Sequence, residues 1–341
     1  MKIKTVILSI IVSLSILSFQ SCGCAKSCGH ADKPVVIFDT DLGNDVDDVL
    51  ALQMLLNYAK EGTIDFRGII LSKCNPHSVE FVDAFCRHNG FDDMPIGYAY
   101  NGVTPDDYKY LLATLNATYQ GKPIMEPNRT LDASIPEGYV ELRRLLSEAK
   151  NGSVTLIAVG PLTNIGRLLS SGPDDLSSLS GKELMKKKVK SLNIMGGEYL
   201  GGKPFAEYNI KCDLKEATVV FAQCPVPIVA SGFEIGKKIL YPHESILNDF
   251  GVPEASPLCV AYMSYEPMPY DRPSWDLTSV FDAIDKDRSL FRHSAKGTIS
   301  VDGKGVTTFN EDPKGKDEYL IVNPSDVEKA KMALVNRVRG K

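Results

Sequence analysis

The chain of 341 residues has no excess of basic residues, because 38 Lys and Arg stand against 43 Asp and Glu and give a formal net charge of -5. A nucleic-acid polymer is therefore not expected as a partner, since neutralising its phosphates takes clusters of cationic side chains. The sequence also lacks long linkers, internal repeats and low-complexity blocks, so we expect one large domain after the N-terminal segment.

Histidine and tryptophan are both scarce, with five His and one Trp in the chain. None of the histidines occupies an obvious catalytic position. His77 is expected near a helix start, and His243 and His293 are expected in loops or at the surface. Trp275, the single tryptophan, is either a core anchor or a flat surface on which an aromatic ligand stacks.

The N-terminal apolar run, residues 5–19, is too short to be read as a membrane span. It follows Met1-Lys-Ile-Lys, an order typical of a secretory signal. The end of the run resembles a bacterial lipoprotein signal in which Cys22 becomes acylated, although Phe19-Gln20 departs from the strict pattern. We therefore predict a lipoprotein-like signal peptide (1–22), a linker (23–33) and an exported protein of the bacterial cell envelope, lipid-anchored and facing the periplasm or the surface. Simple secretion is the alternative.

The eight cysteines do not form an obvious disulfide framework. Three lie in the leader and linker, and the body contains Cys74, Cys86, Cys212, Cys224 and Cys259. An odd number scattered through predicted core elements indicates small buried hydrophobic residues rather than disulfides, even in an exported protein.

Strand-like and helical runs alternate along the body, which predicts an α/β fold: a Rossmann-like open, mostly parallel sheet with flanking helices in one domain, 34–341. The predicted strands are 35–39, 66–71, 154–159, 189–195 and 226–230. The predicted helices are near 47–60, 77–89, 137–150, 162–171, 213–223 and 324–338. A β-hairpin or small antiparallel patch is expected within 286–322, and an exposed excursion at 173–190.

Five carboxylates follow the first predicted strand within ten residues: Asp39, Asp41, Asp45, Asp47 and Asp48. The carboxyl end of a strand is where open α/β sheets bind ligands. Helix capping accounts for one or two of these acids but not for all five. So many acids would repel one another unless protons or a cation neutralise them, and hard oxygen ligands favour Ca²⁺ or Mg²⁺. The segment therefore predicts a metal site.

This segment resembles the N-terminal signature of the inosine-uridine preferring nucleoside hydrolases, a strand followed by Asp-x-Asp-Pro-Gly-x-Asp-Asp. The matching residues are Asp39, Asp41, Gly43, Asp47 and Asp48, with extra residues in the loop. Leu42 replaces the family proline, and the Asn44-Asp45-Val46 insertion leaves Asp45 without a counterpart.

Further segments resemble the same family in the same order along the chain. They are Gly68–Asn75 at a second strand, Leu156–Ile165 with its Gly-Pro-Leu-Thr-Asn turn, Met195-Gly-Gly, Ala206-Glu-Tyr-Asn209, and Trp275-Asp276-Leu277 where the family has His-Asp-Pro. Together these segments extend the resemblance from Val35 to about Asp285.

The resemblance implies hydrolysis of the N-glycosidic bond of ribonucleosides, or of related N-ribosides, to ribose and free base. It implies a Ca²⁺ ion held by Asp41, Asp48, Asp276 and the carbonyl of Val159, with Asp41 as the base that activates the ion's water. The implied substrate contacts are Asp47, Asn75, Met195, Glu207, Asn209 and Trp275. Members of the family commonly form dimers or tetramers, so the resemblance also implies a homo-oligomer.

Several of these residues have a simpler interpretation. Asn75 precedes Pro76 and is a turn former. Asp276 could cap a helix that runs toward Asp285. Asp39 is expected to support the metal ligands rather than to bind the ion. The role of Asp45 stays open.

The base-binding side departs from the family pattern. In purine- and pyrimidine-accepting members, the histidine before the distal Asp is thought to protonate the leaving base, and Trp275 has no such acid. Tyr262, Tyr265 and Tyr270 are candidates for the loop on the base side, with core packing as the alternative for at least one of them.

Two other functions compete with nucleoside hydrolysis. A lipid-tethered receptor would hold a riboside or another sugar without cleaving it, which the missing histidine favours. A haloacid-dehalogenase-like phosphatase would use Asp39 as its phosphoryl acceptor, but it gives no role to the Gly-Pro-Leu-Thr-Asn and Glu-Tyr-Asn segments.

Overall fold

An eight-stranded sheet is the centre of the fold. The computed structural model describes residues 33–105, 109–201, 204–285 and 289–341. The predicted signal peptide, the acylation site Cys22 and the linker before Lys33 lie outside the described residues. Within them, no helix combines the length and the hydropathy that crossing a membrane requires.

The strands of the described chain have the following bounds: β1 Val35–Thr40, β2 Asp65–Lys73, β3 Ile96–Val103, β4 Thr118–Tyr119, β5 Lys122–Pro123, β6 Val154–Ala158, β7 Val189–Met195, β8 Ile228–Ser231, β9 Leu240–Tyr241, β10 Arg272–Pro273, β11 Arg292–His293, β12 Gly297–Val301, β13 Thr307–Glu311 and β14 Glu318–Ile321.

The helices are α1 Asp47–Lys60, α2 Ser78–His88, α3 Lys109–Leu115, α4 Gly138–Glu148, α5 Thr163–Ser170, α6 Gly181–Lys188, α7 Tyr208–Cys212, α8 Leu214–Gln223, α9 Phe233–Gly236, α10 His243–Asn248, α11 Pro257–Tyr265, α12 Trp275–Ile284 and α13 Val327–Val338. Short 3₁₀ turns lie at Pro253–Ala255 and Pro324–Asp326.

The strand order of the main sheet is β11-β14-β8-β7-β6-β1-β2-β3. Every neighbouring pair is parallel except β11 and β14 at one edge. The order places β1 between β2 and β6, so the carboxyl ends of these three strands meet at one edge of the sheet. This architecture confirms the predicted α/β class with a mostly parallel sheet and flanking helices.

Strand β1 is buried on both faces, which explains the continuous apolar sequence of its first four residues. Val36 and Phe38 belong to one core, shared with α1 and α12, whereas Val35 and Ile37 belong to the core on the opposite face, shared with α4 and α5. Alternate residues of a strand point to opposite faces, so a single six-residue strand contributes to both cores.

The predicted strands and helices are present, with ends that differ by a few residues. The predicted hairpin is also confirmed, since Gly297–Val301 pairs antiparallel with Thr307–Glu311. Strand β3 was not predicted, because its glycines and Asn101 are turn signals. The 173–190 excursion contains α6, which begins at a capping box formed by Ser180 and Glu183 and buries Leu184 and Met185 beneath exposed lysines.

Asn164 joins α5 to two strands at the edge where their carboxyl ends meet. Its fully buried amide donates to Asp39 Oδ2 at 2.9 Å and to the Leu71 carbonyl at 3.2 Å. These contacts hold the ends of β1 and β2 in place, because a buried acceptor without a donor is costly.

We expect Asn164→Ala to lower the free energy of unfolding by about 1–3 kcal/mol, since it leaves a buried carboxylate and a buried carbonyl without this donor. Urea denaturation followed by circular dichroism measures the change. Asn116→Ala, at an exposed asparagine, is the control and should stay within about 0.5 kcal/mol of the parent. Equal stabilities of the two variants would contradict the proposed tether.

Candidate active site

A cavity of about 530 Å³ opens at the carboxyl edge of the sheet. Its buried end is lined by carboxylates from the loop after β1, from α1 and from α12, and its more exposed end by Phe233, Tyr265, Arg272 and Trp275. A cavity of this size and position fits a small ligand.

Three carboxylates converge at the buried end. Oxygen atoms of Asp47, Asp48 and Asp276 all lie within 4.8 Å of one another, and all three residues are buried. Asp47 and Asp48 open α1, and Asp276 lies in the first turn of α12. Each acid thus meets the positive end of a helix dipole, which favours its charged form.

Two hydrogen bonds fix this cluster. The backbone N–H of Asp276 donates to Asp47 Oδ2 at 3.1 Å across 229 positions of sequence. The hydroxyl of Thr40, the last residue of β1, donates to Asp48 Oδ1. The first and last parts of the predicted metal site are therefore in direct contact.

The electrostatics of the cluster favour a bound cation. Burial, followed by repulsion from the neighbouring acids, raises the pKa of Asp47, Asp48 and Asp276 well above 3.8. The group is made entirely of hard oxygen donors in a buried pocket, which suits Ca²⁺ or Mg²⁺. Val159 lines the same cavity, and its carbonyl, which also accepts the Asn209 amide at 2.7 Å, is a further candidate oxygen ligand.

Asp41 lies beside this cluster and has a cationic partner that the sequence did not predict. Its Oδ2 is 3.1 Å from Lys73 Nζ, and Lys73 is only 2% exposed. Burial raises the pKa of Asp41, and the charge of Lys73 opposes this shift. The structure therefore groups Asp47, rather than Asp41, with Asp48 and Asp276. The predicted role of Asp41 as ligand and base stays a prediction.

Lys73 also orders the inserted loop. Its ammonium donates to the Tyr208 hydroxyl at 2.8 Å, and this hydroxyl donates to Asn44 Oδ1 at 2.9 Å. The sequence does contain a signal for this residue, because a lysine that ends a buried apolar strand needs an anionic partner. The signal does not say which of the nearby acids that partner is.

Glu207 and Asn209 both line the cavity. Glu207 caps α7 by accepting backbone N–H groups of Asn209 at 3.1 Å and Ile210 at 3.2 Å. The amide of Asn209 donates to the carbonyls of Val159 at 2.7 Å and Met195 at 3.2 Å. Glu207 caps α7 and Asn209 lies in its first turn, so the start of this helix brings both side chains to the cavity.

Gly160 allows the chain after β6 to lie against β1. A Cβ at this position would come within 2.8 Å of the backbone nitrogen of Asp41. The close approach explains the glycine of the Gly-Pro-Leu-Thr-Asn turn, and it brings the Val159 carbonyl to the acidic end of the cavity.

Asn75 is not among the residues that line the cavity. Its Oδ1 accepts the backbone N–H of His77 at 3.1 Å, as in a turn, and its side chain packs against Gly43. Gly43 has a φ of +113°, so only glycine suits both this conformation and the contact with Asn75. The simpler interpretation of Asn75, a turn former, describes this geometry.

Trp275 forms part of the exposed wall. Its indole N–H donates to the Phe233 carbonyl at 2.9 Å, and the two rings stack with centroids 5.5 Å apart. Of the three candidate tyrosines, Tyr265 lines the cavity, whereas Tyr262 is fully buried and stacks on Tyr270 at 4.5 Å. Core packing therefore accounts for Tyr262.

Arg272, also missed by the sequence analysis, gives Asp45 a partner. Its Nε donates to Asp45 Oδ1 at 2.9 Å, its Nη2 donates to Asp45 Oδ2, and its Nη1 lies 3.1 Å from Glu266 Oε1. The guanidinium carbon lies 4.7 Å from the centre of the Tyr265 ring and 5.4 Å from that of Trp275. The inserted loop is thereby tied to the aromatic wall.

Histidines are absent from the cavity lining among the described residues. His243 contacts Asp271 at 2.7 Å, and His293 contacts Asp282 at 3.0 Å. As expected from the sequence, neither has a position for catalysis in this cavity.

Asp39 is unsuited to act as a phosphoryl acceptor. It is fully buried, accepts the Asn164 amide and does not line the cavity. Burial raises the pKa of its carboxyl well above 3.8, which weakens it as a nucleophile. This geometry argues against the phosphatase alternative.

Comparison with known proteins identifies one family. The family model described as inosine-uridine preferring nucleoside hydrolase matches residues 36–330. The chain is 37% identical over 98 residues to the pyrimidine-specific ribonucleoside hydrolase RihA of Klebsiella pneumoniae, which covers 28% of each protein. It is 25% identical over 227 residues to the probable uridine nucleosidase 2 of Arabidopsis thaliana, which covers 61% of this chain and 62% of that protein.

Solved structures show the same fold. The purine-preferring ribonucleoside hydrolase from Gardnerella vaginalis superposes with a TM-score of 0.67 at 17% identity, over 90% of this chain and 98% of that chain. The inosine-uridine preferring nucleoside hydrolase from Bacillus anthracis gives 0.61 at 18% identity, over 89% and 99%. At such low identities the likeness concerns the fold alone.

Glu207 offers a test of the electrostatics. Burial raises its pKa from 4.5 to about 7, against three backbone N–H groups that favour the carboxylate. The folded state therefore binds this proton more tightly than the unfolded chain. The resulting stability is present below pH 4.5 and is lost as the pH rises to about 7.

We expect Glu207→Gln to flatten the fall in the free energy of unfolding between these pH values by up to about 3 kcal/mol, because glutamine does not titrate. Urea titrations from pH 4 to pH 8 in the presence of a chelator measure the slope. Glu254→Gln, at an exposed glutamate, controls for the loss of one surface carboxyl. A slope in Glu207→Gln equal to that of the parent would show that Glu207 does not titrate in this window.

Proposed function

Because this chain belongs to the inosine-uridine preferring nucleoside hydrolase family, we propose that it is an N-glycosyl hydrolase that cleaves ribonucleosides, or related N-ribosides, to ribose and free base. The alignment with the curated relative RihA spans 28% of that protein, so the activity and the substrate are proposals for this chain. Some similar proteins are described as pyrimidine-specific and others as purine-preferring. These descriptions do not determine the base preference of this chain.

One observation carries the proposal above all others. Asp276 meets Asp47 and Asp48 across more than two hundred residues, in a cavity that Glu207 and Asn209 also line. Acids that bind a hard cation thus face groups that can hydrogen-bond neighbouring sugar hydroxyls. Hydrolysis of an N-riboside requires both, since the ribose must be held while water attacks it.

The proposed ion is Ca²⁺, held by Asp41, Asp48, Asp276 and the Val159 carbonyl, with Asp47 close enough to share in the site. When bound, such an ion grips sugar hydroxyls and lowers the pKa of a water molecule. Asp41 would take the proton of the attacking water as the general base. Lys73, 3.1 Å away, would hold the Asp41 carboxylate in position for this step.

The remaining groups would fix the substrate. Glu207 and Asn209, anchored by backbone contacts, would bind ribose hydroxyls together with Asp47. Met195 lies beneath Asn209 and would pack against the sugar. Trp275 would form the wall for the base, because its flat face stacks on aromatic rings.

The N-terminal predictions also stand as proposals. We propose that residues 1–22 are a lipoprotein-like signal, that acylated Cys22 anchors the protein to the cell envelope, and that 34–341 form the catalytic domain, assembled as a homo-oligomer. Export is supported by the order of charged and apolar residues in the leader. Nucleosides taken from outside the cell would then be the substrates.

Asp276→Asn should strongly reduce ribose release and the rise in melting temperature that Ca²⁺ produces, because it removes one of the three clustered carboxylates. A loss of about 100-fold or more in kcat/KM is expected for a group that holds the reacting centre. A reducing-sugar assay on a nucleoside panel and thermal denaturation with and without Ca²⁺ measure the two effects.

Asp175→Asn, at an exposed acid outside both groups of acids that could hold a metal ion, is the matched control and should retain both properties. Riboside binding without ribose release by the parent protein would favour the receptor alternative. A Ca²⁺ response that survives Asp276→Asn undiminished would contradict the proposed ion site.

A further inference from the structure

Whether the leaving group needs a proton determines whether the cavity must contain a general acid. Cleavage of an N-glycosidic bond leaves both bonding electrons on the nitrogen of the aglycone. A neutral nucleoside therefore releases an anionic base unless a proton reaches it, whereas an N-riboside with a cationic aglycone releases a neutral molecule. In both cases water supplies the oxygen that bonds to the sugar, and its proton passes to the base carboxylate.

Proton donors are poorly supplied at the aromatic end of the cavity. The described lining residues include no histidine. The Trp275 N–H is engaged by the Phe233 carbonyl at 2.9 Å. The Tyr110 hydroxyl donates to the Asp45 carbonyl at 2.9 Å, and that of Tyr208 donates to Asn44 Oδ1. These donors are therefore committed to the protein.

Arg272 and Tyr265, at the aromatic end, are weak acids, whereas Glu207, whose pKa is raised to about 7, lies at the buried end beside Asn209. Burial alone lowers the pKa of Arg272, but its bonds with Asp45 raise it above the ordinary value, so the guanidinium keeps its protons. Burial raises the pKa of Tyr265, whose hydroxyl accepts a hydrogen bond from Arg272 Nη2 at 2.9 Å. An efficient general acid has a pKa near the working pH, and neither group meets this condition.

The charges around the cavity favour a cation. Seven carboxylates line it: Asp41, Asp45, Asp47, Asp48, Glu207, Glu266 and Asp276. Arg272 is the single cationic side chain among the described lining residues, and its charge is matched by Asp45 and Glu266. Lys73 together with a divalent ion would still leave negative charge in excess, so the field attracts a cationic ligand.

The aromatic wall has the same preference. Phe233 and Trp275 stack on each other, and Phe205 meets Phe233 edge-on at 5.1 Å. Aromatic faces attract cations, and Arg272 already lies over the rings of Tyr265 and Trp275. A planar cationic ring would gain from stacking and from this attraction together.

From these contacts we propose that the preferred substrates are N-ribosides whose aglycone carries a positive charge, such as pyridinium ribosides. This inference rests on the proposed N-riboside hydrolysis and narrows it to a substrate class. Trp275 then replaces the family histidine without loss, since the departing aglycone is neutral and takes no proton.

The test compares four probes with the full chain in Ca²⁺: nicotinamide riboside, its reduced dihydro form, inosine and uridine. The reduced form matches the cation in size but has a neutral ring, so the pair isolates the charge. We expect kcat/KM for nicotinamide riboside to exceed that for each neutral probe by about 100-fold or more, the lower range of what an acid contributes. Before this comparison, each kcat/KM is divided by the rate of uncatalysed hydrolysis of the same probe, so that differences in intrinsic lability are removed.

The outcomes separate this inference from the proposed function. Faster cleavage of inosine or uridine than of nicotinamide riboside would overturn the charge preference and leave the hydrolase proposal intact. Cleavage of none of the four would count against both. Equal rates for the charged and reduced forms would also overturn the inference.

Variants at the aromatic end add an independent readout. Trp275→His introduces an imidazole acid and should raise the ratio of inosine to nicotinamide riboside hydrolysis by about tenfold or more. Trp275→Phe, which keeps an aromatic ring but adds no acid, should raise that ratio less than Trp275→His does. If Tyr265→Phe selectively removed inosine hydrolysis, Tyr265 would be the missing acid and the inference would be wrong.

Discussion

The concentration of buried negative charge where α1 and α12 begin is the constraint on which the rest of the site depends. Asp47, Asp48 and Asp276 are removed from water and from most counter-charges, which raises their pKa values. Helix dipoles, the Thr40 hydroxyl and one backbone N–H offset part of this cost. A bound cation would offset the rest of the cost of burying these carboxylates, which accounts for the number of acids at this edge of the sheet.

Two cationic side chains, Lys73 and Arg272, neutralise acids in different parts of the site. Lys73 lies at the end of β2 and neutralises Asp41, beside the cluster. Arg272 lies at the exposed end and binds Asp45, which the inserted loop contributes. The insertion after Gly43 and the arginine before Trp275 therefore form one unit that joins the acidic loop to the aromatic wall. The loop insertion and Trp275, two departures from the family pattern that are distant in sequence, are thus joined through Arg272.

The fold and the acidic end of the site could be predicted from sequence because their signals are local. Val35–Phe38 is continuously apolar, and the acids follow it directly. The contacts of Lys73 and Arg272 could not be predicted in this way, because each depends on a partner brought close by the sheet order or by a loop. Asn75 shows the opposite case: its position in the motif implies a sugar contact, whereas the structure places its side chain against Gly43 and not among the residues that line the cavity, so the sugar contact stays a prediction.

The side chains at the two ends of the cavity are held by different kinds of contact. At the buried end, Glu207 and Asn209 are held by backbone atoms of α7, Val159 and Met195, so their geometry is set by the fold itself. At the aromatic end, Phe233, Tyr265, Arg272 and Trp275 are held mainly by side-chain stacking and ion pairs, which substitutions can change without disturbing the sheet. A family that keeps the ribose and varies the aglycone would be expected to divide its site in this way. Under the proposed function, the departure at Trp275 would therefore affect the group that leaves the sugar, because this residue lies at the aromatic end.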